Sequence, residues 1–241
     1  MASPQDFQTF VFFDVETTGL PYDKPCVAEL CFFAVNRCSL QNSPQDFLQT
    51  PQPPRIVDKL TFCIDPQKPF TAIAEEITGL SNHDLEENCK PKFNTAVVEV
   101  LRGFLDRQTG PICLVAHNGF PYDFPLLRTE LQRVGADLPP DTGCLDTLPV
   151  FRKLDKAADV DKAAKVSYKL GEIYRRFYGQ EPTRAHSAEG DVLTLLLVFL
   201  AKAPELMEQA AKEARKWGDI QPMYVPEPEE RKWPNLPKDL P

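Results

Sequence analysis

The first candidates for chemistry in this 241-residue sequence are two acidic residues that follow a strongly apolar run. Asp14 and Glu16 come directly after TFVFF and are separated by one residue. Residues two apart project from the same face of a β-strand, so these carboxylates would lie side by side. Such a pair can hold a hard cation through its oxygens, and the alternative is a solvated strand end. The preceding apolar residues favour a cation, because unpaired charges beside a buried strand are costly.

A second polar group follows the apolar segment ICLVA. His117 comes directly after the segment, in the kind of loop where ligands of α/β sheets bind. Tyr122 offers an aromatic face and a hydroxyl group. Asp123 begins the next predicted helix, where its carboxylate would either cap the helix or serve a ligand.

A third group lies in the string HSAEGDV. His186 precedes a long apolar helix, and Asp191 falls near the start of that helix. An imidazole titrates near neutral pH, so His186 is a candidate general base. The alternative is an ordinary surface histidine, and Asp191 would then only cap the helix.

The hydrophobic pattern predicts the elements that must position these residues. Apolar, β-branched and aromatic runs predict five strands, and apolar residues at helical spacing predict helices between and after the later strands. The predicted strands cover 9–15, 27–35, 56–64, 112–117 and 144–148, and the helices begin near 94, 124, 170 and 192. This order indicates an α/β domain with a central mixed five-stranded sheet flanked by helices. The segment 222–241 contains six prolines and is predicted to be a poorly ordered tail.

Composition narrows the class of protein. With 42% apolar and 26% charged residues, the chain can form a globular core, and no apolar run approaches the roughly 18 residues of a membrane span. The start of the chain lacks a secretory signal pattern, which predicts an intracellular protein. Seven cysteines without a C-x-x-C pair indicate reduced core residues, not a disulfide framework or a zinc site. The net charge of -8 argues weakly against nucleic acid, since acids that hold cations lower the charge without preventing phosphate binding.

Several strings resemble one family in the same order along the chain. FFDVETTGLP, LVAHNGFPYDFPLL, SYKLGEIY and HSAEGDVLTLL are similar to the three-prime repair exonucleases, which are DEDDh 3′-to-5′ exonucleases. The resemblance covers residues 8–225 and is closest to the shorter vertebrate paralogue without a membrane tail. It implies a ribonuclease H-like fold, an exonuclease domain over 1–225 and a proline-rich tail over 226–241.

The resemblance also implies a mechanism and a site. The reaction would be Mg²⁺-dependent hydrolysis at DNA 3′ ends, single-stranded or mispaired, releasing nucleoside 5′-monophosphates in DNA repair or degradation. Two Mg²⁺ ions, or Mn²⁺, would be held by four acids, and His186 would be the catalytic base. The implied metal ligands are Asp14, Glu16, Asp123 and Asp191. The implied substrate-binding residues are Glu16, Thr17, Leu20, His117, Tyr122, Ser167 and Asp191.

Family resemblance further implies a homodimer, formed through an edge strand such as RIVDKLTFCI, and a nuclear location without membrane attachment. The segment 153–165 carries lysines where the shorter paralogue has arginines, which predicts weaker and more salt-sensitive DNA binding. Two alternatives stay open. One is an exoribonuclease of the same superfamily, and the other is a non-catalytic adaptor that uses the prolines at 51–54 and in the tail.

Overall fold

The chain forms one mixed β-sheet with helices on both faces. The computed structural model describes residues 6–42, 51–158 and 166–226. The strands within these ranges are β1 Thr9–Thr17, β2 Val27–Asn36, β3 Asp58–Cys63, β4 Ile112–Ala116, β5 Gly143–Asp146 and β6 Arg215–Lys216. Their order across the sheet is β3-β2-β1-β4-β5-β6.

Helices cover both faces of this sheet. Those in the described residues are α1 Arg37–Gln41, α2 Ala72–Thr78, α3 Asn82–Glu87, α4 Thr95–Asp106, α5 Asp123–Arg133, α6 Thr147–Ala157, α7 Leu170–Tyr178, α8 Ala188–Leu200 and α9 Ala203–Glu213. Short polar side chains begin several of them. The side chain of Asn94 accepts a hydrogen bond from the Val97 N–H at 3.1 Å, which explains why α4 begins where the sequence predicts.

The central strand β1 sets the direction of the sheet. It pairs antiparallel with β2 and parallel with β4, and β4 pairs parallel with β5. The fold class predicted from the sequence is therefore confirmed, with one correction: the sheet has six strands, not five. The sixth strand consists of Arg215 and Lys216, antiparallel to the start of β5. Two exposed basic residues carry no alternating apolar pattern, so the sequence gives no signal for this strand.

Alternation along β1 separates two hydrophobic cores. Phe10 and Phe12 belong to the core under α6, α7, α8 and α9, whereas Val11 and Phe13 belong to the core under α4 and α5. Because the side-chain period of a strand is two, Asp14 and Glu16 continue the face of Phe10 and Phe12. Both acids therefore project toward the side of the sheet that α8 covers.

Helix α8 is the buried centre of that layer. Ten of its 13 residues are buried, as expected for a helix that is apolar on nearly every face. Phe199 packs against both Phe10 and Phe12 of β1, with ring centroids 5.5 and 5.0 Å apart. The packing fixes the helix relative to β1, so the start of α8 has a defined position beside the acids.

Three expectations need correction. The segment from Lys153 to Ala157 is the end of α6 and not a loop, while the rest of the predicted lysine-bearing loop, 159–165, lies outside the described residues.

The start of the proline-rich tail is packed: the Met223 N–H donates to the Pro125 carbonyl at 3.1 Å. Residues 227–241 lie outside the described ranges. The expectation that the cysteines are core residues holds for four of them, which are buried, whereas Cys38 and Cys89 are exposed.

None of the helices in the described ranges has the length and apolar character needed to cross a membrane.

Candidate active site

Three carboxylates from two distant elements meet at the end of β1. Oxygens of Asp14, Glu16 and Asp191 all lie within 4.8 Å of one another, and each side chain is partly buried. Asp14 and Glu16 share a strand face, and Asp191 lies in the first turn of α8. Carboxylate oxygens at this spacing are the ligands that a hard divalent cation prefers.

The raised pKa values of these carboxyl groups also favour a bound cation. Burial and, after it, the negative charge of Asp191 together raise the pKa of Glu16 to about 8. Burial also raises the pKa of Asp14 well above its usual value, with Asp123 as the largest charged contributor. Mutually repelling acids in a desolvated site are stabilised by positive charge. The residues present therefore fit a divalent metal site.

The fourth predicted acid, Asp123, comes from α5, which packs on the face of the sheet opposite to α8. Asp123 is the first residue of α5 and is buried. Its carboxylate accepts a hydrogen bond from the Val15 N–H, and burial raises its pKa to about 7. Asp123 is not among the three acids whose oxygens lie within 4.8 Å of one another. It adjoins them closely enough to raise the pKa values of Asp14 and Glu16.

His186 lies in the loop before α8 with its side chain exposed. Its backbone N–H donates to Oδ2 of Asp191 at 3.1 Å, which ties the loop to the acidic cluster. The loop has an unusual backbone, since Arg184 and His186 both have positive φ values, 57° and 66°. Residues other than glycine rarely adopt this conformation unless their surroundings hold them in it.

Thr17 and Tyr122 form a hydrogen-bonded group beside Glu16. The Tyr122 hydroxyl donates to the Gly19 carbonyl at 2.5 Å and lies 2.6 Å from Oγ1 of Thr17. Burial raises the pKa of Tyr122 to about 12, so its hydroxyl keeps its proton. These bonds hold the turn after β1 against the start of α5.

An apolar pocket of about 340 Å³ lies next to this group. Glu16, Thr17 and Tyr122 line it on the acidic side. Leu20, Ile73 and Ile77 line it as well, and each of these three is at least half exposed. The sequence marked Leu20 but not the two isoleucines of α2, because two exposed isoleucines on a short helix look like ordinary surface residues.

His117 is fixed by both of its ring nitrogens. Nε2 lies 2.8 Å from the Tyr168 carbonyl, which can only accept, so Nε2 carries the proton. Nδ1 then accepts from the Thr147 hydroxyl at 2.8 Å. Burial lowers the pKa of His117, which favours this neutral form. Ser167, adjacent to Tyr168, is exposed.

Comparison with known proteins decides the family. An exonuclease family model matches residues 11–199. Mouse three prime repair exonuclease 2 is 56% identical over 228 residues, which covers 94% of this chain and 97% of that protein. The chain belongs to the three-prime repair exonuclease family. Human three-prime repair exonuclease 1 is 43% identical, over 92% of this chain and 72% of that protein. The resemblance seen in the sequence motifs is thereby confirmed.

A solved structure agrees with the fold of this three-prime repair exonuclease family member. The Escherichia coli exonuclease I–single-stranded DNA complex aligns with a TM-score of 0.59 at 20% identity. The alignment covers 83% of this chain, and the chain spans 42% of that structure. At this identity the similarity concerns the fold alone.

Sequence reasoning also missed a buried acid that shapes the site of this family member. Asp146, at the end of β5, is buried and accepts from the backbone N–H groups of Asn118, Phe120 and Leu148 at 2.8, 3.1 and 3.0 Å. Two of these bonds fix the loop that leads to Tyr122 and Asp123. The string CLDTL indicates only a short strand, because the partners of Asp146 come from a loop distant in sequence.

Proposed function

We propose that this protein is a 3′-to-5′ DNA exonuclease that removes nucleoside 5′-monophosphates from single-stranded or mispaired 3′ ends. One observation carries the proposal: in a chain of the exonuclease family, the carboxylates of Asp14, Glu16 and Asp191 converge beside an apolar pocket. Such a site offers a place for divalent cations next to a place for a nucleobase. DNA repair or DNA degradation is the process we assign to it.

The metal ligands are Asp14, Glu16, Asp123 and Asp191, and Mg²⁺ or Mn²⁺ is the cofactor, with two ions for the four acids. When bound, the ions would supply positive charge that activates water and stabilises the leaving 3′ oxygen. The side chains contribute the framework for this chemistry. Asp14 and Glu16 sit on a rigid central strand, and Asp191 sits on a buried helix, so the ligand oxygens are held in place before metal binds.

His186 is the catalytic base in this proposal. Its side chain is exposed at the edge of the acidic cluster and can accept a proton from water. The bond from its backbone N–H to Asp191 keeps the residue beside the metal ligands. A neutral imidazole is the form that can take this proton.

Substrate binding follows from the apolar pocket and its polar edge. Leu20, Ile73 and Ile77 offer an exposed apolar wall that would contact the terminal bases. Thr17 and Tyr122, at the edge next to Glu16, would lie at the 3′ hydroxyl and the scissile end.

His117 and Ser167 belong to the proposed substrate set in different ways. The ring of His117 is held by Thr147 and the Tyr168 carbonyl, so it would support the scissile end from a fixed position. Ser167 is exposed beside Tyr168 and would contact the DNA backbone.

The domain, assembly and location are also proposals. The exonuclease domain spans 1–225, and 226–241 is a proline-rich tail. Strand β3 is an edge of the sheet, which supports a homodimer formed by pairing β3 with a second copy. Light scattering should give twice the mass of one chain, and the mass of a single chain would contradict the dimer. We propose an intracellular, nuclear protein that acts on DNA 3′ ends away from membranes.

Digestion of matched 5′-labelled DNA and RNA oligonucleotides tests the activity. We expect the DNA to shorten stepwise from its 3′ end in the presence of Mg²⁺ and to stay intact in EDTA. His186→Ala should lower the rate by about 100-fold or more, because it removes the proposed base. Preferred digestion of RNA would support an exoribonuclease instead. No digestion of either strand, with binding partners lost after deletion of the tail, would support an adaptor.

A further inference from the structure

We propose that Glu29 and Gly190 are positioning residues for His186 and Asp191. Together they hold the segment 184–188 against the first turn of α8. The inference rests on the roles proposed above for His186 and Asp191. Glu29 and Gly190 have no other role in the proposed hydrolysis.

Glu29, on the strand next to β1, binds the start of α8. It lies in β2 directly opposite Glu16 of β1. Its Oε2 accepts from the Ala188 N–H at 2.9 Å, satisfying one of the free N–H groups at the helix start. Burial disfavours the charged form of Glu29, and Glu189 and Asp191 also repel it, so the site is unfavourable for an acid apart from this bond. The bond thereby links β2, the neighbour of the metal-ligand strand β1, to the helix that carries Asp191.

Gly190 allows the preceding loop to touch the helix. A Cβ atom at this position would lie 2.0 Å from the Arg184 carbonyl oxygen and 2.7 Å from its carbon. Both distances are far below van der Waals contact, so any side chain would displace the loop. Helix formation does not explain a glycine at position 190, because alanine is the better helix former. The close approach of the loop at Arg184 explains it.

Ser187 completes the arrangement between these two contacts. Its hydroxyl donates to the Arg184 carbonyl at 3.0 Å and accepts from the Gly190 N–H at 3.2 Å. The left-handed backbone of Arg184 and His186 is thus held from both ends of the loop. Because the His186 N–H donates to Asp191, a shift of the loop would move the base and loosen a metal ligand together.

Two variants remove the two contacts separately. Glu29→Ala deletes the acceptor for Ala188, and Gly190→Ala introduces the clash with Arg184. Each should lower kcat on a labelled DNA oligonucleotide by about 10–100-fold, with KM changed far less. Glu29→Gln retains a side-chain oxygen at the same reach, so it should restore kcat to within about 3-fold of wild type.

The matched controls leave these contacts intact. Gly171→Ala places a methyl group in the first turn of α7, where the nearest atom, Cγ of Pro182, would be 3.6 Å away. Glu189→Ala removes an acid from the same turn of α8 whose partner is the surface residue Lys59, at 3.6 Å. Both controls should keep kcat near that of wild type, and circular dichroism should show that all variants are folded.

Nuclear magnetic resonance of the metal-free, full-length chain gives a readout independent of activity. The sequence has only three histidines, His83, His117 and His186, so their ring signals can be resolved. Glu29→Ala and Gly190→Ala should shift the His186 signals and leave those of His83 and His117 in place. If wild type cleaves no DNA, the proposed function fails, and these spectra still decide the positioning role. Unchanged His186 signals in both variants would overturn the inference.

Discussion

Glu16 of β1 and Asp191 of α8 bring carboxylate oxygens within 4.8 Å of each other. Asp191 is the largest charged contributor to the raised pKa of Glu16. In the metal-free protein this closeness opposes folding, because two buried acids repel each other when both are ionised. The arrangement therefore reduces stability at a place where function requires convergent negative charge.

The first prediction concerns the pH dependence of stability without metal. The pKa of Glu16 is about 8 in the folded protein and about 4.5 in the unfolded chain. The folded state then binds more protons, so the free energy of unfolding falls as the pH rises between these values. In EDTA, Glu16→Gln should match wild type near pH 4 and exceed it by about 4–5 kcal/mol at pH 8.5, a melting-temperature gain of about 8–20 °C.

Thermal denaturation at several pH values measures this difference. Glu99→Gln, at an exposed position of α4, is the matched control and should follow wild type throughout. A gain for Glu16→Gln that is equal at pH 4 and pH 8.5 would show that ionisation of Glu16 is not its cause.

The second prediction concerns the apolar pocket. Leu20→Ala and Ile77→Ala each remove exposed apolar surface that the terminal bases would cover. Each should lower kcat/KM for a single-stranded oligonucleotide by about 10-fold, since the lost contact is worth about 1–1.5 kcal/mol. Val100→Ala, half exposed on α4, serves as the control. Steady-state kinetics with unchanged values for both pocket variants would place the bases elsewhere.

The third prediction concerns Asp146. Asp146→Ala would leave the N–H groups of Asn118, Phe120 and Leu148 without their acceptor. Urea denaturation should show a loss of about 3 kcal/mol in the free energy of unfolding, because unsatisfied buried donors are costly. Activity should fall as well, since the loop leading to Asp123 loses its anchor. A variant as stable as wild type would mean that water replaces the carboxylate.

The fourth prediction concerns DNA affinity. Arg152 and Arg176 lie 5.5 and 5.3 Å from the ring of Tyr168, and the Tyr168 carbonyl accepts from His117. This basic group adjoins the proposed site in a chain of net charge -8. Arg152→Gln should weaken oligonucleotide binding and reduce the slope of log Kd against log salt by about 1.

Fluorescence anisotropy in the His186→Ala background, which we expect to cleave the oligonucleotide too slowly to interfere, measures that slope. Lys153→Gln is the control. The Lys153 ammonium is bonded to Gln209 and Glu213, so its charge contributes less to phosphate binding. An equal slope for the Arg152 and Lys153 variants would exclude a specific phosphate contact at Arg152.

Local pattern made much of the fold predictable. The five strands and the helices beginning near 94, 124, 170 and 192 follow from runs and spacings that tertiary packing reinforces. Strand β6 and helices α1, α2, α3, α6 and α9 were not predicted. The short elements among them depend on their neighbours more than on their own residues. Family motifs identified Asp14, Glu16 and Asp191 but not Asp146 and Ile77, which meet the site through segments far away in the sequence. Gly190 was missed for a different reason: the Arg184 carbonyl that approaches it lies only six residues earlier, but the approach depends on the loop conformation, which no sequence pattern indicates.

The proposed reaction requires four acids to hold two divalent ions at the 3′ end of a DNA strand. Anomalous diffraction from crystals soaked with Mn²⁺ and a nucleoside 5′-monophosphate shows whether they do. We predict two anomalous peaks in contact with oxygens of Asp14, Glu16, Asp123 and Asp191, and their loss in Asp14→Asn. Full soaking that leaves no peak among these carboxylates, or peaks that persist unchanged in the variant, would rule out this metal site.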